Sequence, residues 1–369
     1  MRRLIPKDVL RDVVGPFVAH RLALTAAGLV LIQFIQVRAG IHTYLPAAFD
    51  LWVRWDAEHY LIVADRGYGA GSDSFFPLYP LLTRALGVAM PLPLAGLLVS
   101  NAAAVLALVW LYRWLREEGS PALARGTVWF AITFPTSFFL SAVYAESTYL
   151  ACAVGTVWAW RRGRGHEAAG LLFLACLARP QGFIALTVPF VLGWTWRSRV
   201  LRQAPWFVLA AVPAAAVLLG VHYLSSGDPL GFLDAGPVQR MRVFWDAPPV
   251  EPPPFWRILW DEGLSSNLVR RLLNWSALGL VALTTVHWWR RGEVELGALT
   301  LLTVAVPFAF HASLFDAASM ARYALIAFPV HVTLARWFPQ GKGGRTVQTT
   351  FVMLQVVFFG LFAARYWAE

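Results

Sequence analysis

Long apolar runs, separated by short polar segments, repeat along most of this chain. Three of the clearest cover residues 22–37, 93–112 and 205–224. A helix that crosses a bilayer needs about 20 predominantly apolar residues, and it satisfies its own backbone hydrogen bonds where no water is present. The pattern therefore predicts an all-α integral membrane protein that crosses the membrane about eleven times.

The predicted spans are spread over the whole sequence, and one pair of short arms turns at Arg179-Pro180. They lie near residues 18–37, 92–112, 125–141, 146–160, 166–199 (the two arms), 205–224, 272–289, 294–311, 323–338 and 349–364.

The loops between the predicted spans fall into two classes. Two are long, at residues 38–90 and 225–271, whereas the others are short and several are rich in arginine. Short positively charged loops stay on the cytoplasmic side. We therefore expect a cytoplasmic N-terminus, with both long loops and the C-terminus on the outer face of the cell inner (plasma) membrane. We expect residues 1–369 to form a single polytopic membrane domain.

The composition agrees with a membrane protein. Of the 369 residues, 58% are hydrophobic and 14% are charged, with a mean hydropathy of +0.56, whereas soluble domains carry about 25% charged residues. Basic short loops account for the formal net charge of +10, so we expect no nucleic-acid partner. Cys152 and Cys176 lie in apolar runs, where small buried side chains are more typical than a disulfide.

The first long loop contains the segment WVRWDAEHYLIVADRGYG at residues 52–69. Its pattern predicts a helix that ends at Gly67, and its Trp and Tyr rings favour the membrane–water interface. On such a helix Asp56, His59 and Tyr60 share one face. An acid beside a bilayer is costly, which makes Asp56 a candidate functional residue. The alternative is an Asp56–His59 pair that only docks the helix.

Four further segments follow this helix in order. They are FFPLYPLL (75–82), FPTSFFLSAVYAES (134–147), ARPQGF (178–183) and SMARYALIAFP (319–329). Together with the W-D-x-x-H-Y helix they resemble the PIG-V family of mannosyltransferases, in its bacterial type; eukaryotic members add the second mannose of GPI anchors. The second long loop has no counterpart in this resemblance, so acceptor recognition is not implied by it.

The resemblance implies a GT-C type glycosyltransferase fold and an enzyme that uses a polyprenyl-phosphate sugar. In that superfamily an acid of the first outer loop is the catalytic base, and this acid corresponds to Asp56. Mannose would pass to a hydroxyl of a lipid-, glycan- or protein-linked acceptor on the outer face, with inversion at the anomeric carbon. Neither a metal nor another cofactor is expected, since GT-C enzymes that transfer single sugars generally need none.

The charged residues fit this reaction. A carboxylate can take the acceptor proton, and cationic groups stabilise the charge of the leaving phosphate. Because the arginine fork can bind two phosphate oxygens, Arg179 and Arg322 are the candidate donor-phosphate ligands. Arg54 and Arg66, close to the Asp56 helix, are alternatives to either arginine. The candidate supporting or substrate-binding residues are Trp55, His59, Tyr60 and Glu146.

Two other functions remain compatible with the sequence. The Asp56 helix could line the path of a polyprenyl-lipid or lipid transporter, or it could dock a non-catalytic scaffold. A transporter should carry polar residues near the middle of several spans, whereas the deepest here are Gln33, Gln36 and Asn101. Long outer and short inner loops favour an enzyme with an outward-facing site.

Overall fold

The computed structural model describes residues 6–38, 48–69, 74–187, 204–230, 266–309 and 319–365. Within these ranges the regular secondary structure is helical, as predicted. The α-helices are α1 (Gly15–Arg38), α2 (Asp56–Arg66), α3 (Leu78–Gly87), α4 (Leu92–Glu117), α5 (Pro121–Thr133), α6 (Glu146–Arg161), α7 (Gly165–Ala178), α8 (Ala204–Ser226), α9 (Ser266–Arg290), α10 (Val294–Ala309), α11 (Met320–Ile326), α12 (Pro329–Trp337) and α13 (Lys342–Ala363). A short α-helical turn (Lys7–Val9) and a π-helical turn (Leu10–Val14) lead directly into α1.

Four of the described helical stretches are long and apolar enough to cross a bilayer. These are Lys7–Phe34, Leu92–Glu117, Pro205–Ser225 and Lys342–Ala363, and each coincides with a predicted apolar run. The protein is thus a multi-pass membrane protein. The total of about eleven crossings stays a prediction.

The predicted span over residues 125–141 is wrong as a continuous helix. α5 ends at Thr133, Phe134 is extended (φ −53°, ψ 137°), and a 3-10 turn covers Ser137–Leu140. Pro135 causes the break because its ring disfavours helical backbone at the preceding residue. The next α-helix, α6, begins at Glu146, a few residues after this break.

The predicted span over residues 323–338 is also interrupted. α11 ends at Ile326, Ala327 is non-helical (φ −79°, ψ 76°), and Pro329 opens α12. Proline is tolerated there because the first residue of a helix has no intrahelical N–H bond to lose. Both breaks are buried in the protein, where non-helical backbone is tolerated at membrane depth.

The predicted turn at Arg179-Pro180 is confirmed. α7 ends at Ala178, and Arg179 is extended (φ −160°, ψ 154°) because Pro180 follows it. A π-helical turn, Gly182–Leu186, then packs back against α7. The rest of the second predicted arm, residues 188–199, lies outside the described ranges.

Helix α6 forms the centre of the core. Its side chains are buried from Glu146 to Val157, and it packs against α4 on one side and α7 on another. A helix that is apolar all round belongs in an interior rather than at a surface. Cys152 of α6 and Cys176 of α7 are free thiols buried in this region, as predicted.

One end of the helix bundle collects several of the charged loops. The N-terminal segment and the loops after α4, α6 and α9 are joined there by ion pairs. These pairs are Arg116–Asp8, Arg162–Glu117 (2.6 Å), Arg161–Glu118 (3.2 Å) and Arg161–Glu293 (2.5 Å). We call this the basic end. The grouping is the one that the positive-loop pattern requires, although which end faces the cytoplasm stays a prediction.

The first predicted long loop lies at the opposite end. It contains α2, which ends before Gly67 (φ 85°) as predicted, and α3. α6 runs from Arg161 at the basic end to Glu146, a length of about 24 Å for its sixteen residues. In the second predicted long loop, 225–271, α9 already begins at Ser266; residues 231–265 lie outside the described ranges.

We expect Gly182→Ala to destabilise the protein. A Cβ atom at Gly182 would lie 2.4 Å from the backbone nitrogen of Cys176 and 2.5 Å from the carbonyl oxygen of Ala175. Overpacking of this kind costs about 1–3 kcal/mol, which should appear as a lower thermal unfolding midpoint in detergent. Gly170→Ala is the matched control on α7, because a Cβ there meets no atom within 4 Å. Equal midpoints for both variants would contradict the close approach at Gly182.

Candidate active site

Four charged side chains meet at the end of the bundle opposite the basic end. Nη1 of Arg322 donates to Oδ2 of Asp56 at 2.9 Å, and its Nε donates to Oε1 of Glu146. Nη1 of Arg179 donates to the same Glu146 oxygen at 2.6 Å. Two carboxylates and two guanidinium groups thus form one connected ionic cluster. All four residues were candidates from the sequence, and the structure brings them together.

The Asp56 side chain sits at the start of α2. Trp55 precedes it with φ 57° and ψ −121°, an unusual backbone conformation for a bulky residue. Two hydrogen bonds hold this entrance against the turn before α6: Val143 N–H donates to the Trp52 carbonyl (3.1 Å), and the Tyr144 hydroxyl donates to the Arg54 carbonyl (2.9 Å). These bonds place Asp56 beside the start of α6.

The other three members are also placed by helix ends. Glu146 is the first residue of α6, Arg179 follows the last residue of α7, and Arg322 lies in the first turn of α11. Carboxylates are favoured at helix N-termini and cations at C-termini. Glu146 and Arg179 both follow this rule, as does Asp56 at the start of α2.

Aromatic rings surround the guanidinium groups. The Arg322 guanidinium carbon lies 4.6 Å from the centroid of the Tyr144 ring and 5.0 Å from that of Phe139. Arg179 lies over Tyr323 at 5.5 Å. Such stacking stabilises a desolvated cation. These rings exclude water, so charge interactions in the cluster are stronger than at a surface.

The side chains of Asp56 and Glu146 differ in solvent exposure. The Glu146 side chain is fully buried and accepts from both arginines, whereas 21% of the Asp56 side chain is exposed. Arg179 and Arg322 are buried as well. Of the two carboxylates, Asp56 is therefore the one that an external molecule can reach.

Tyr60 faces the cluster from the next turn of α2. Its side chain is buried, and its ring packs edge-on against Phe75 and Tyr79. Burial raises the pKa of the Tyr60 phenol well above its ordinary value, because a low-dielectric surrounding disfavours the phenolate. Tyr60 therefore keeps its proton at neutral pH and can donate a hydrogen bond.

His59 is placed differently from the other candidates. It is exposed, and its ring stacks on Phe75 with 5.0 Å between the ring centroids. No hydrogen bond from His59 to Asp56 is among the described contacts, so the structure does not support the Asp56–His59 docking pair. Exposed Glu58, one residue earlier, pairs with Arg365 at 2.9 Å.

The two alternative arginines near α2 do not join the cluster. Nε of Arg54 donates to the carbonyl of Ala363 at 3.0 Å, and its Nη1 donates to the Val53 carbonyl. Arg66 is exposed and pairs with Asp65. The geometry thus selects Arg179 and Arg322 as the cations beside Asp56.

Several buried polar atoms at this end of the bundle have no hydrogen-bond partner among the described residues. They are Nε1 of Trp55, Oγ of Ser141, Oε2 of Glu146, Oγ of Ser147 and Oγ1 of Thr148. Buried polar groups in proteins are nearly always paired. The serine and threonine members carry no distinctive motif, so the sequence did not predict them.

The fold and this cluster define a multi-pass helical membrane protein with a buried ionic site at one end. Residues 25–224, more than half of the chain, match the family Mannosyltransferase (PIG-V). The chain belongs to this family, as its motifs predict. The matched range contains Asp56, Glu146 and Arg179, whereas Arg322 lies beyond it.

Part of this chain is also similar to mammalian relatives. The chain is 31% identical over 183 residues to GPI alpha-1,6-mannosyltransferase 2 of Mus musculus. The aligned region covers 45% of this chain and 36% of the relative. It is 33% identical over 149 residues to the protein of that name from Cricetulus griseus, covering 36% of this chain and 30% of the relative. The matched region therefore spans about a third of each relative's length.

We expect Glu146→Gln to lower stability strongly. The change removes the charge that both buried arginines share, and loss of one partner from a buried ion pair costs about 3–5 kcal/mol. Thermal unfolding in detergent measures the loss. Glu58→Gln is the matched control, since its exposed pair with Arg365 should contribute little. A Glu146→Gln midpoint equal to that of the control would contradict a buried, charge-paired Glu146.

Proposed function

We propose that this protein is a membrane mannosyltransferase that moves mannose from a polyprenyl-phosphate donor to a hydroxyl group of an acceptor. The observation that carries the proposal is the position of Asp56. It is a partly exposed carboxylate at the rim of a buried cluster that holds two arginines, in a chain of the PIG-V family. A base, a phosphate site and a protected interior are thus adjacent.

Asp56 acts as the general base. As the acceptor oxygen attacks the anomeric carbon, Asp56 takes its proton. The bond between that carbon and the donor phosphate breaks, and its electron pair passes to the phosphate oxygen. Polyprenyl phosphate leaves as an anion, so no general acid is required. Direct attack from the opposite side inverts the anomeric centre.

Arg179 and Arg322 bind the donor phosphate. Both are buried cations with several N–H groups, and charge developing on the leaving oxygen is stabilised best in a site that excludes water. Glu146 contacts both guanidinium groups at a single oxygen. It therefore holds the two arginines in one place before the donor arrives, which lowers the cost of ordering them.

The sugar lies among the unpartnered polar atoms beside the cluster. Mannose carries several hydroxyl groups, and Trp55 Nε1, Ser141 Oγ and Thr148 Oγ1 are buried polar atoms without a hydrogen-bond partner among the described residues. Protonated Tyr60 adds a donor on the same side. These contacts would orient the ring so that its anomeric carbon faces Asp56.

The active site faces the outer side of the cell membrane in this proposal. The basic end lies toward the cytoplasm, as the positive-inside rule requires, and the cluster lies about 24 Å away along α6. The acceptor is a lipid-, glycan- or protein-linked hydroxyl, and catalysis needs no metal. The GT-C fold is part of the same proposal.

The proposal is tested with purified protein in detergent, radiolabelled polyprenyl-phosphate mannose and mixed membrane lipids as the acceptor pool. Labelled product that forms equally with and without EDTA is the expected result. In a parallel preparation of the protein reconstituted into liposomes, movement of the donor across the bilayer without product would instead favour the lipid transporter.

Asp56→Asn should lower the transfer rate by about 10²–10⁴-fold, the usual contribution of a general base. The amide has the same shape but cannot accept the proton, so binding of the donor should persist. Asp65→Asn, an exposed position on the same helix, is the matched control and should transfer normally. Full turnover by Asp56→Asn would show that another group is the base.

Arg322→Lys should raise the KM for the donor by about tenfold or more while leaving the KM for the acceptor nearly unchanged. Lysine keeps the positive charge, but it lacks the planar fork that reaches Asp56 and Glu146 together. The measurement is initial rate against each substrate in turn. An equal effect on both KM values would mean that Arg322 does not bind the donor phosphate.

A further inference from the structure

The helix that carries Arg322 has an unusual start. α11 contains seven residues, and the preceding Ser319 has left-handed backbone angles (φ 62°, ψ 8°) without a side-chain cap. The first N–H groups of a helix have no partner within the helix. In a buried helix such as this one, those groups must be satisfied by another part of the protein.

Asn274 of α9 supplies that partner. Its Oδ1 accepts a hydrogen bond from the backbone N–H of Ala321 at 3.0 Å, and the side chain is fully buried. Ala321 is the second residue of α11, one of the positions that a capping side chain normally contacts. Asn274 therefore caps α11 from a different helix.

Thr136 holds the same residue from the other side. Its hydroxyl donates to the carbonyl of Ala321 at 2.9 Å, and it is also fully buried. That carbonyl belongs to the peptide bond that joins Ala321 to Arg322. The backbone entering Arg322 is thus fixed by two side chains, both distant from it in the sequence.

The turn that contains Thr136 is itself anchored inside the bundle. Nη2 of Arg21, buried in α1, donates to the carbonyl of Ser137 at 2.8 Å. Nε2 of Gln355, buried in α13, donates to the Ser137 hydroxyl at 2.5 Å. Thr136 is therefore attached to a rigid support rather than to a free loop.

We propose that Asn274 and Thr136 are positioning residues for Arg322. The Arg322 guanidinium must reach Asp56 and Glu146 at once, and a displacement of about 1 Å is enough to disrupt such an arrangement. The two hydrogen bonds to Ala321 fix the backbone from which it reaches. The link to donor binding rests on the proposed function, whereas the placement of Arg322 does not.

The test uses Thr136→Val, which removes the hydroxyl without changing the shape of the side chain, and Thr136→Ser, which keeps the hydroxyl. Asn274→Leu removes the acceptor and leaves an apolar side chain of similar size. Thr127→Val is the matched control, because Thr127 is a fully buried threonine of α5 whose hydroxyl has no partner among the described residues.

The first readout is modification of Arg322 by phenylglyoxal, followed by peptide mass spectrometry. Arg161 of the basic end, which pairs with Glu118 and Glu293, is the internal reference. Thr136→Val and Asn274→Leu should raise labelling of Arg322 about fivefold or more over Arg161, because loss of a positioning contact frees the guanidinium. Thr136→Ser and Thr127→Val should label like the unaltered protein. Unchanged labelling of Arg322 in Thr136→Val and Asn274→Leu overturns the proposal, as does an equal rise at Arg161, which would indicate general loosening.

The second readout is the donor KM in the mannose-transfer assay. Thr136→Val and Asn274→Leu should raise the donor KM about fivefold or more and leave the acceptor KM unchanged. Thr136→Ser should leave the donor KM at the value of the unaltered protein. Selective labelling of Arg322 together with an unaltered donor KM would overturn the link to the donor. Selective labelling in a protein that transfers no mannose would support the positioning role and reject the proposed function.

Discussion

The bridge that Arg322 makes between Asp56 and Glu146 is the contact on which the rest of this site depends. Asp56, Glu146 and Arg179 each lie at a helix end whose partial charge favours them. Arg322 is the exception, because it lies in the first turn of α11, where the N–H groups disfavour a cation. Two carboxylates and the faces of Phe139 and Tyr144 offset this cost. The two acids and the two arginines therefore stabilise one another as buried charges.

The cluster also coincides with places where helices begin and end. All four side chains lie at or beside a helix end, and a particular backbone feature marks three of these ends. Trp55 adopts a positive φ, Pro180 keeps Arg179 extended, and Ser319 is left-handed. At the start of α11, Asn274 pairs the N–H group of Ala321 that has no partner within the helix, and Thr136 adds a hydrogen bond to the carbonyl of the same residue. Interruptions that would be costly in lipid are tolerated because protein surrounds them.

Local features of the structure followed from the sequence. The end of α2 before Gly67 and the turn at Arg179-Pro180 are set by glycine and proline, whose effects reach only one or two residues. The spans at 125–141 and 323–338 were wrong, because apolar composition alone does not show that a proline will divide a buried run. The choice between Arg54 and Arg322 also lay beyond the sequence, since it depends on contacts between residues 266 positions apart. Asn274 and Thr136 carried no signal at all, because a single buried polar residue is informative only once its partner is known.

The family match ends at residue 224, but the ionic cluster also includes Arg322, which lies beyond the matched range. The balance of charge in the cluster depends on that residue. Residues 25–224 supply two carboxylates but only one guanidinium to the site. Without Arg322, Asp56 would lack its ion pair, and Glu146 would depend on Arg179 alone. An uncompensated charge in a buried site is strongly unfavourable. The part of the chain beyond the match therefore completes the same site, and hydrogen bonds from α9 and from the turn after α5 hold α11 in place there.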